Sequence, residues 1–317
     1  MVGVSRPPAS GEVGTGLGKR SGGAVSALGL FGEVDGLRNS LLGFALILSW
    51  AVAGTAFGQG NTDRFDLESK VTHSTYTVEV VVPPGTPPPG MKYPVAYCMD
   101  WFILGDYLKS LPELMELGRL TEPYIMVGIT QGTDANDWAV MRTRDYTPAP
   151  PTDDYSKSNM YLQAIDLAGG AAKFTGFLKE ELIPYIESKY PSDPSRRCFV
   201  GYSLGGLLGV DILRSDPQLF QYYLLGSASL WFNDYTVAAA VEAMPDDRLT
   251  KVERVYLSVG EDESWEMLKG FGMLRDALQA KGLKEPSLRA ETIEASGHVG
   301  AMPIALYNGL RFLFRNE

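Results

Sequence analysis

The sequence predicts an α/β protein with a mostly parallel central sheet and helices on both of its faces. Three observations carry this reading. From residue 70 onward, short apolar runs alternate with stretches of helical period. Several of the runs are apolar at almost every position, as strands buried on both faces are. The segment Gly201-Tyr202-Ser203-Leu204-Gly205-Gly206 joins one such run to an amphipathic one, and ligands in parallel sheets bind beyond the carboxyl ends of the strands.

Taken in order, residues 75–82 alternate as a strand and stop at Pro83-Pro84-Gly85. A Pro-rich turn leads to a second strand over 93–99, then a helix over 108–117. Residues 124–129 read as a strand buried on both faces. A long connection follows over 130–165, with Trp138, Met141, Arg142, Arg144, Tyr146, Tyr155 and Tyr161, stiffened by Pro148, Pro150 and Pro151. Connections of that length usually serve function. Aromatic rings and guanidinium groups suit planar or anionic substrate parts, whereas the plain reading pairs the arginines with local carboxylates such as Asp145. A helix over 171–190 carries an apolar stripe from Phe174 to Ile186. Strands then follow over 197–200, 220–226, 255–259 and 288–293, with helices over 207–213, 271–281 and 303–314, and Gly282 stands where a helix C-cap glycine would. No internal repeat is visible, and no large insertion suggests a separate cap domain.

The chain has 317 residues and a formal net charge of −10. That acidity argues against nucleic acid and against anionic membrane surfaces as partners. The first sixty residues differ from the rest. Residues 1–39 are rich in Gly and Ser without hydrophobic period, and 41–54 form a short apolar run after Arg38, followed by small residues to Gly60. This is the pattern of a signal-peptide core and cleavage region, too short for an ordinary membrane span, with an uncleaved anchor as the alternative. The expectation is a secreted or periplasmic protein whose domain runs from 61 to 317, without stable membrane association once the leader is removed. Cys98 and Cys198 both fall on expected buried strands, and if those strands were neighbours a disulfide would be within reach. Two histidines and no C-x-x-C pair give no basis for a zinc site, so no metal or cofactor is expected.

The Gly201–Gly205 segment is a G-x-S-x-G pattern. A chain with 35 glycines produces that pattern readily by chance, so its flanks decide. With a strand before and a helix after, it reads as a nucleophile elbow: the serine hydroxyl stands at the top of the sheet, and the glycines let strand and helix approach. A serine hydroxyl needs a base. His73 lies on the first expected strand and reads as a surface or edge histidine, whereas His298 follows the last strand. His298 is therefore the candidate base. The carboxylate that would orient it comes from Glu261-Asp262-Glu263, after the preceding strand; Glu263 is favoured, with Asp262 second. Each also has a plain reading as a solvated loop charge. The expected oxyanion donors are the backbone N–H of Leu204 and a second at Trp101 or Phe102, although Trp101 would serve equally as a pocket wall. Serine, acid and histidine thus stand at strand ends in the order of an α/β-hydrolase.

At this point the chain resembles a known family, the esterases of the α/β-hydrolase superfamily that include the enterobactin-type and bacillibactin-type siderophore esterases and their exported relatives. The resemblance runs from about 70 to 315. It rests on Tyr97-Cys98-Met99-Asp100, on Arg142-Thr143-Arg144-Asp145-Tyr146-Thr147-Pro148, and on Gly169-Gly170-Ala171 leading into 177–186. It rests further on Gly201 to Gly206, on Ser227-Ala228-Ser229-Leu230-Trp231, and on Gly297-His298 with the later Leu310-Arg311-Phe312-Leu313. It implies an esterase acting through Ser203 and His298. Tyr202, Trp231, Arg142 and Arg144 are the candidate substrate contacts. The implied substrate is a siderophore lactone or another small-molecule or polymer-linked ester. Tyr202 stands where the family often has histidine, Ala228 where proline is frequent, and Trp101 where glycine is common. Two other classes fit the same residues: an acyltransferase with the same three side chains, and a ligand-binding protein without activity. Added alcohol acceptors separate the first from a hydrolase, and hydrolysis of a nitrophenyl ester excludes the second.

Overall fold

Each inner strand carries apolar side chains on both sides of the pleat, so the sheet must be covered twice. The structure, a computed structural model, describes residues 61–84, 88–159 and 162–316. Its eight strands are β1 (Thr62–Glu68), β2 (Thr75–Val81), β3 (Tyr93–Cys98), β4 (Ile125–Gln131), β5 (Ser192–Tyr202), β6 (Tyr222–Gly226), β7 (Arg254–Gly260) and β8 (Leu288–Ile293). They lie in the order β1-β2-β4-β3-β5-β6-β7-β8. β1 and β2 pair antiparallel, as do β2 and β4, and every later pairing is parallel.

The helices are α1 (Trp101–Leu117), α2 (Ala135–Tyr146), the short α3 (Asp154–Ser158), α4 over 171–189 with a π turn at Leu178–Leu182, α5 (Leu204–Ser215), α6 (Thr236–Glu242), α7 (Trp265–Ala280) and α8 (His298–Leu313). Period-2 alternation sorts the strand side chains between two cores. Tyr97, Phe199, Tyr223 and Leu257 pack with Phe174 and Phe177 of α4, Leu207 of α5 and Leu274 of α7. Ala96, Cys98, Val200, Leu224 and Tyr256 pack with Leu104 and Leu108 of α1 and Leu306 and Leu310 of α8. Burying a side chain such as Phe174 or Leu306 stabilises the fold by roughly 1.5–3 kcal/mol each. The described residues fall within one compact unit.

Several elements differ from the sequence expectation. α1 begins at Trp101 rather than 108, because the chain turns into helix directly behind a left-handed Asp100 (φ 55°). Residues 130–165 are not a bare loop: Asp134 accepts hydrogen bonds from the backbone N–H of Asn136 and Asp137, both 2.9 Å, and so caps α2. β1 adds an edge strand, and His73 lies in the β1–β2 turn with φ 57° rather than on a strand. β3 and β5 are neighbours, with Cys198 opposite Ala96 and Cys98 opposite Val200, and both thiols are free and buried. Among the described residues no helix is long and apolar enough to cross a membrane. The leader over 1–60 and Tyr161 lie outside the described residues.

Candidate active site

β5 runs straight into α5 with only Ser203 between them. Ser203 has φ 60° and ψ −119°, a strained conformation for a residue with a Cβ, held because the packing around it allows no other path. The glycines beside it are sterically required to different degrees. A Cβ on Gly201 would stand 2.3 Å from the Gly205 carbonyl oxygen, and one on Gly206 would stand 2.9 Å from the Ala228 Cα. Gly205 is less constrained, with 3.2 Å to a carboxylate oxygen of Asp100. The Ser203 N–H donates to the Gly226 carbonyl at 2.9 Å, and the Ser203 carbonyl accepts from the Ser229 N–H at 3.0 Å. The elbow is thus pinned to the end of β6 on both sides. The Ser203 hydroxyl lies 3.3 Å from the buried Ser229 hydroxyl.

His298 opens α8 directly after the β8 turn, with Gly297 as N-cap. Its Nδ1 lies 2.7 Å from Oε2 of Glu263, which follows β7. The Glu263 side chain is 1% exposed, and its Oε1 accepts from the Gly260 N–H (2.8 Å) and the Ser227 hydroxyl (2.6 Å). Burial alone would raise this carboxyl's pKa. The hydrogen bonds from His298, Ser227 and Gly260 outweigh that and hold it below the usual glutamate range. An ionised Glu263 can only accept, so Nδ1 carries a proton, and in the neutral imidazole this leaves the Nε2 lone pair free. Of the three neighbouring carboxylates, Glu263 alone bonds His298. Asp262 is exposed at the cavity edge and its N–H donates to the Ser296 carbonyl, while Glu261 accepts from the Ala295 N–H at 2.9 Å.

Tyr202 lies between these parts. Its hydroxyl donates to the His298 backbone carbonyl (2.6 Å) and lies 2.8 Å from the Ser227 hydroxyl. Burial pushes its phenol pKa up, so it remains a proton donor. Ser203, Tyr202, Glu263, Asp262 and His298 all line one cavity of about 720 Å³, within the size range of small-molecule sites.

The other expected site residues divide. Leu204 is the first residue of α5 and Trp101 and Phe102 open α1. First-turn N–H groups have no acceptor within their own helix, so both helix ends present donors behind the neighbouring strands β3 and β5. The Trp101 ring is not a pocket wall: it lies against Gly128 in the lower core, where a Cβ would stand 1.9 Å from it, and its indole N–H donates to Glu79. Phe102 is exposed and stacks on Trp138 at 6.0 Å between centroids. Trp231 lines the cavity and meets Tyr155 edge-on at 5.3 Å.

Arg142 also lines the cavity, but its charge is matched. Nε and Nη2 donate to the two carboxylate oxygens of buried Asp100 at 2.7 and 3.1 Å, and Nη2 reaches the Tyr202 carbonyl at 3.3 Å. Arg144 is a correction. It points the other way from its helix, bonding Asp145, Ser74 and the Tyr76 hydroxyl, and it lines a separate, shallow polar cleft of about 300 Å³ beside β1 and β2. Residues two apart on a helix do not face the same way, so α2 sends these two arginines to different sides. Ser227, Ser229 and Asp100 stand in the sequence only as parts of strand-end motifs; the side-chain partners described above lie 25 to 42 residues away and leave no local signal.

A family model described as "Putative esterase" matches residues 69–271. The chain belongs to this esterase family. It is 30% identical over 270 residues to the ferri-bacillibactin esterase BesA of Bacillus subtilis, covering 81% of this chain and 91% of that protein. Among solved structures, the BES protein from Bacillus cereus is 25% identical with a TM-score of 0.67, covering 81% of this chain and 95% of its own. An IroE-like serine hydrolase from Shewanella oneidensis is 26% identical with the same TM-score of 0.67, covering 80% of each chain. The α/β-hydrolase fold read from the sequence is the fold of these relatives, and the chain is an enzyme that hydrolyses ester bonds. Among the described residues no group of three or more His, Cys, Asp or Glu side chains is arranged to hold a metal ion.

Proposed function

We propose that this esterase is a serine carboxylester hydrolase in which Ser203 is the nucleophile, His298 the general base and acid, and Glu263 the carboxylate that orients the imidazole. The observation that carries the reading is the 2.7 Å contact between His298 Nδ1 and an ionised, buried Glu263, in the cavity that also holds the strained Ser203. In the first half-reaction Ser203 Oγ attacks the ester carbonyl carbon and gives its proton to His298 Nε2. The tetrahedral intermediate collapses, the leaving alcohol takes that proton, and an acyl-Ser203 ester remains. Water then repeats the sequence, releasing the acid and restoring the serine. Glu263 stays ionised and stabilises the imidazolium. The N–H of Leu204, with that of Trp101 or Phe102, would donate to the carbonyl oxygen as it becomes negative, each such donor contributing on the order of 3 kcal/mol.

The relatives support small-molecule esters of the siderophore type as substrates, since the B. subtilis protein is named for a ferri-bacillibactin ester. The apolar run over 41–54 supports export, with a mature protein starting near 54–61; N-terminal sequencing of the extracellular protein tests this, and finding residues 1–40 there contradicts it. For the chemistry, Ser203→Ala and His298→Ala should each lower kcat/KM on a nitrophenyl ester by at least about 10³-fold, because the two side chains act as a unit. Wild-type turnover in either variant excludes the mechanism.

A further inference from the structure

The donors proposed for the oxyanion come from different strand ends, Leu204 after β5 and Trp101 or Phe102 after β3, and both must aim at one point. The strands themselves stop short of that. Their ladder ends with Cys98 opposite Val200, and among the described residues the Met99 N–H, donating to the Val200 carbonyl at 2.9 Å, makes the last backbone bond between them. Beyond it the chain turns into α1 at the left-handed Asp100 (φ 55°) and into α5 at Ser203.

Helix α2 spans this gap. Arg142 and Tyr146 stand four residues apart on it and so share a face. Arg142 Nε and Nη2 donate to the two carboxylate oxygens of Asp100, and Nη2 also donates to the Tyr202 carbonyl at 3.3 Å, directly ahead of Ser203. The Tyr146 hydroxyl accepts from the Asp100 N–H and donates to Gln131, both at 3.1 Å. The Asp100 carbonyl accepts from the Ile103 and Leu104 N–H groups, both at 3.1 Å. Every polar group of Asp100 is therefore held, and Arg142 joins it to the strand end that carries Ser203.

Charge matters as much as geometry. The Asp100 side chain is 2% exposed and that of Arg142 12%. Asp100 Oδ2 lies 3.2 Å from where a Gly205 Cβ would stand, in the first turn of α5. A bare carboxylate there would oppose negative charge growing on a substrate oxygen at the same helix ends, and removing one partner of a buried pair leaves the other uncompensated.

We propose that Arg142 is a positioning residue for the oxyanion site. Its grip on Asp100 and the Tyr202 carbonyl fixes the α1 donors relative to Leu204, and its charge neutralises the carboxylate beside them; it is not a receptor for a substrate anion. The inference rests on the serine-esterase reading with donors at Leu204 and at Trp101 or Phe102.

The test compares Arg142→Met, Arg142→Lys and the double variant Asp100→Asn/Arg142→Met on 4-nitrophenyl benzoate and 4-nitrophenyl 4-carboxybenzoate. It adds the Ki of phenylboronic acid, whose boron bonds Ser203 Oγ and becomes a tetrahedral anion. Rates are taken well below each variant's unfolding temperature, so that lost stability alone leaves them unmoved. In Arg142→Met, kcat/KM should fall at least about tenfold and by the same factor on both esters, with a matching rise in Ki, since the loss lies in the anionic tetrahedral state. Arg142→Lys keeps the charge but loses the planar fork, and should lose about threefold or more on both esters. The double variant should exceed Arg142→Met by about threefold or more, because the stranded carboxylate is gone. A loss confined to the 4-carboxybenzoate, an unchanged Ki beside lowered turnover, or a double variant no faster than Arg142→Met overturns the inference. So does wild-type turnover in Arg142→Met or, if that variant does not fold, in Arg142→Lys. Each of these results leaves the esterase reading standing if Ser203→Ala removes the activity. Undiminished activity in Ser203→Ala overturns the esterase reading and the inference with it.

Discussion

The hydroxyl of Tyr202 donates to the backbone carbonyl of His298 at 2.6 Å. The residue just before the candidate nucleophile therefore holds the start of α8, where the candidate base sits. Ser227 extends the link, with its hydroxyl 2.8 Å from Tyr202 and 2.6 Å from Glu263. Two hydroxyl protons serve three short contacts: with Tyr202 donating to the His298 carbonyl and Ser227 to Glu263, the Tyr202–Ser227 contact has no proton of its own. Tyr202→Phe removes one proton and one oxygen. It should lower stability by about 1 kcal/mol and lower kcat several-fold with little change in KM, since it acts through His298 rather than on substrate. Urea unfolding together with steady-state kinetics checks both; a change confined to KM contradicts a positioning role.

Glu263 and Asp262 stand next to each other and should behave very differently. In Glu263→Gln, the amide can present an N–H to Nδ1 and strand the imidazole proton on Nε2. Wrong-tautomer variants of this kind lose on the order of 10⁴ in kcat elsewhere, and a loss of at least about 10²-fold is expected here. Asp262→Asn should retain catalysis on neutral esters within about tenfold, because its carboxylate is exposed and bonds no ring nitrogen. Comparable losses in the two variants contradict the assignment.

The Glu263 carboxyl also links stability to pH. Its folded pKa is depressed below the usual value, near 4.3 for an unperturbed glutamate. The sign follows: the stabilisation is fully present above the unfolded value and is lost as pH falls through the folded one. Between pH 5 and 3 the wild type should therefore lose stability more steeply than Glu263→Gln. Equal slopes in urea titrations over that range mean that the carboxyl is not stabilised in the folded state.

Much of the site was legible in the chain because it is local. The elbow needs a strand, a sharp turn with small residues and a helix, all within a few residues of Ser203, and His298 and Glu263 sit at the ends of strands whose apolar runs are plain. The parts that escaped are held together across sequence. Arg142 meets Asp100 from another strand end, and nothing near either residue announces it. α2 was hidden because its sequence has little apolar period, although Asp134 ahead of it is a readable cap. Missing that helix put Arg142 and Arg144 in one loop, whereas helical geometry sends Arg142 to the cavity and Arg144 to the β1–β2 side. β1 escaped because it is a largely exposed edge strand, whose polar residues mask the alternation of Phe65 and Leu67.

The elbow glycines give a stability prediction. Gly201→Ala brings a Cβ to 2.3 Å from the Gly205 carbonyl oxygen and Gly206→Ala one to 2.9 Å from the Ala228 backbone; neither neighbour is a flexible side-chain end. Losses of about 2–4 kcal/mol, or failure to accumulate as soluble protein, are expected. Gly205→Ala, at 3.2 Å from a side-chain oxygen of Asp100, should cost less. Thermal unfolding of the three variants orders them, and a Gly201→Ala protein as stable as wild type contradicts the close packing of β5 on α5.

The most direct test of the central claim is covalent labelling with a fluorophosphonate, followed by mass spectrometry of the digested protein. The account predicts one phosphonyl group per chain, on Ser203, formed at the same rate as esterase activity is lost, absent in Ser203→Ala and strongly slowed in His298→Ala. Labelling at another residue with loss of activity, or full esterase activity in a protein labelled at Ser203, would contradict it.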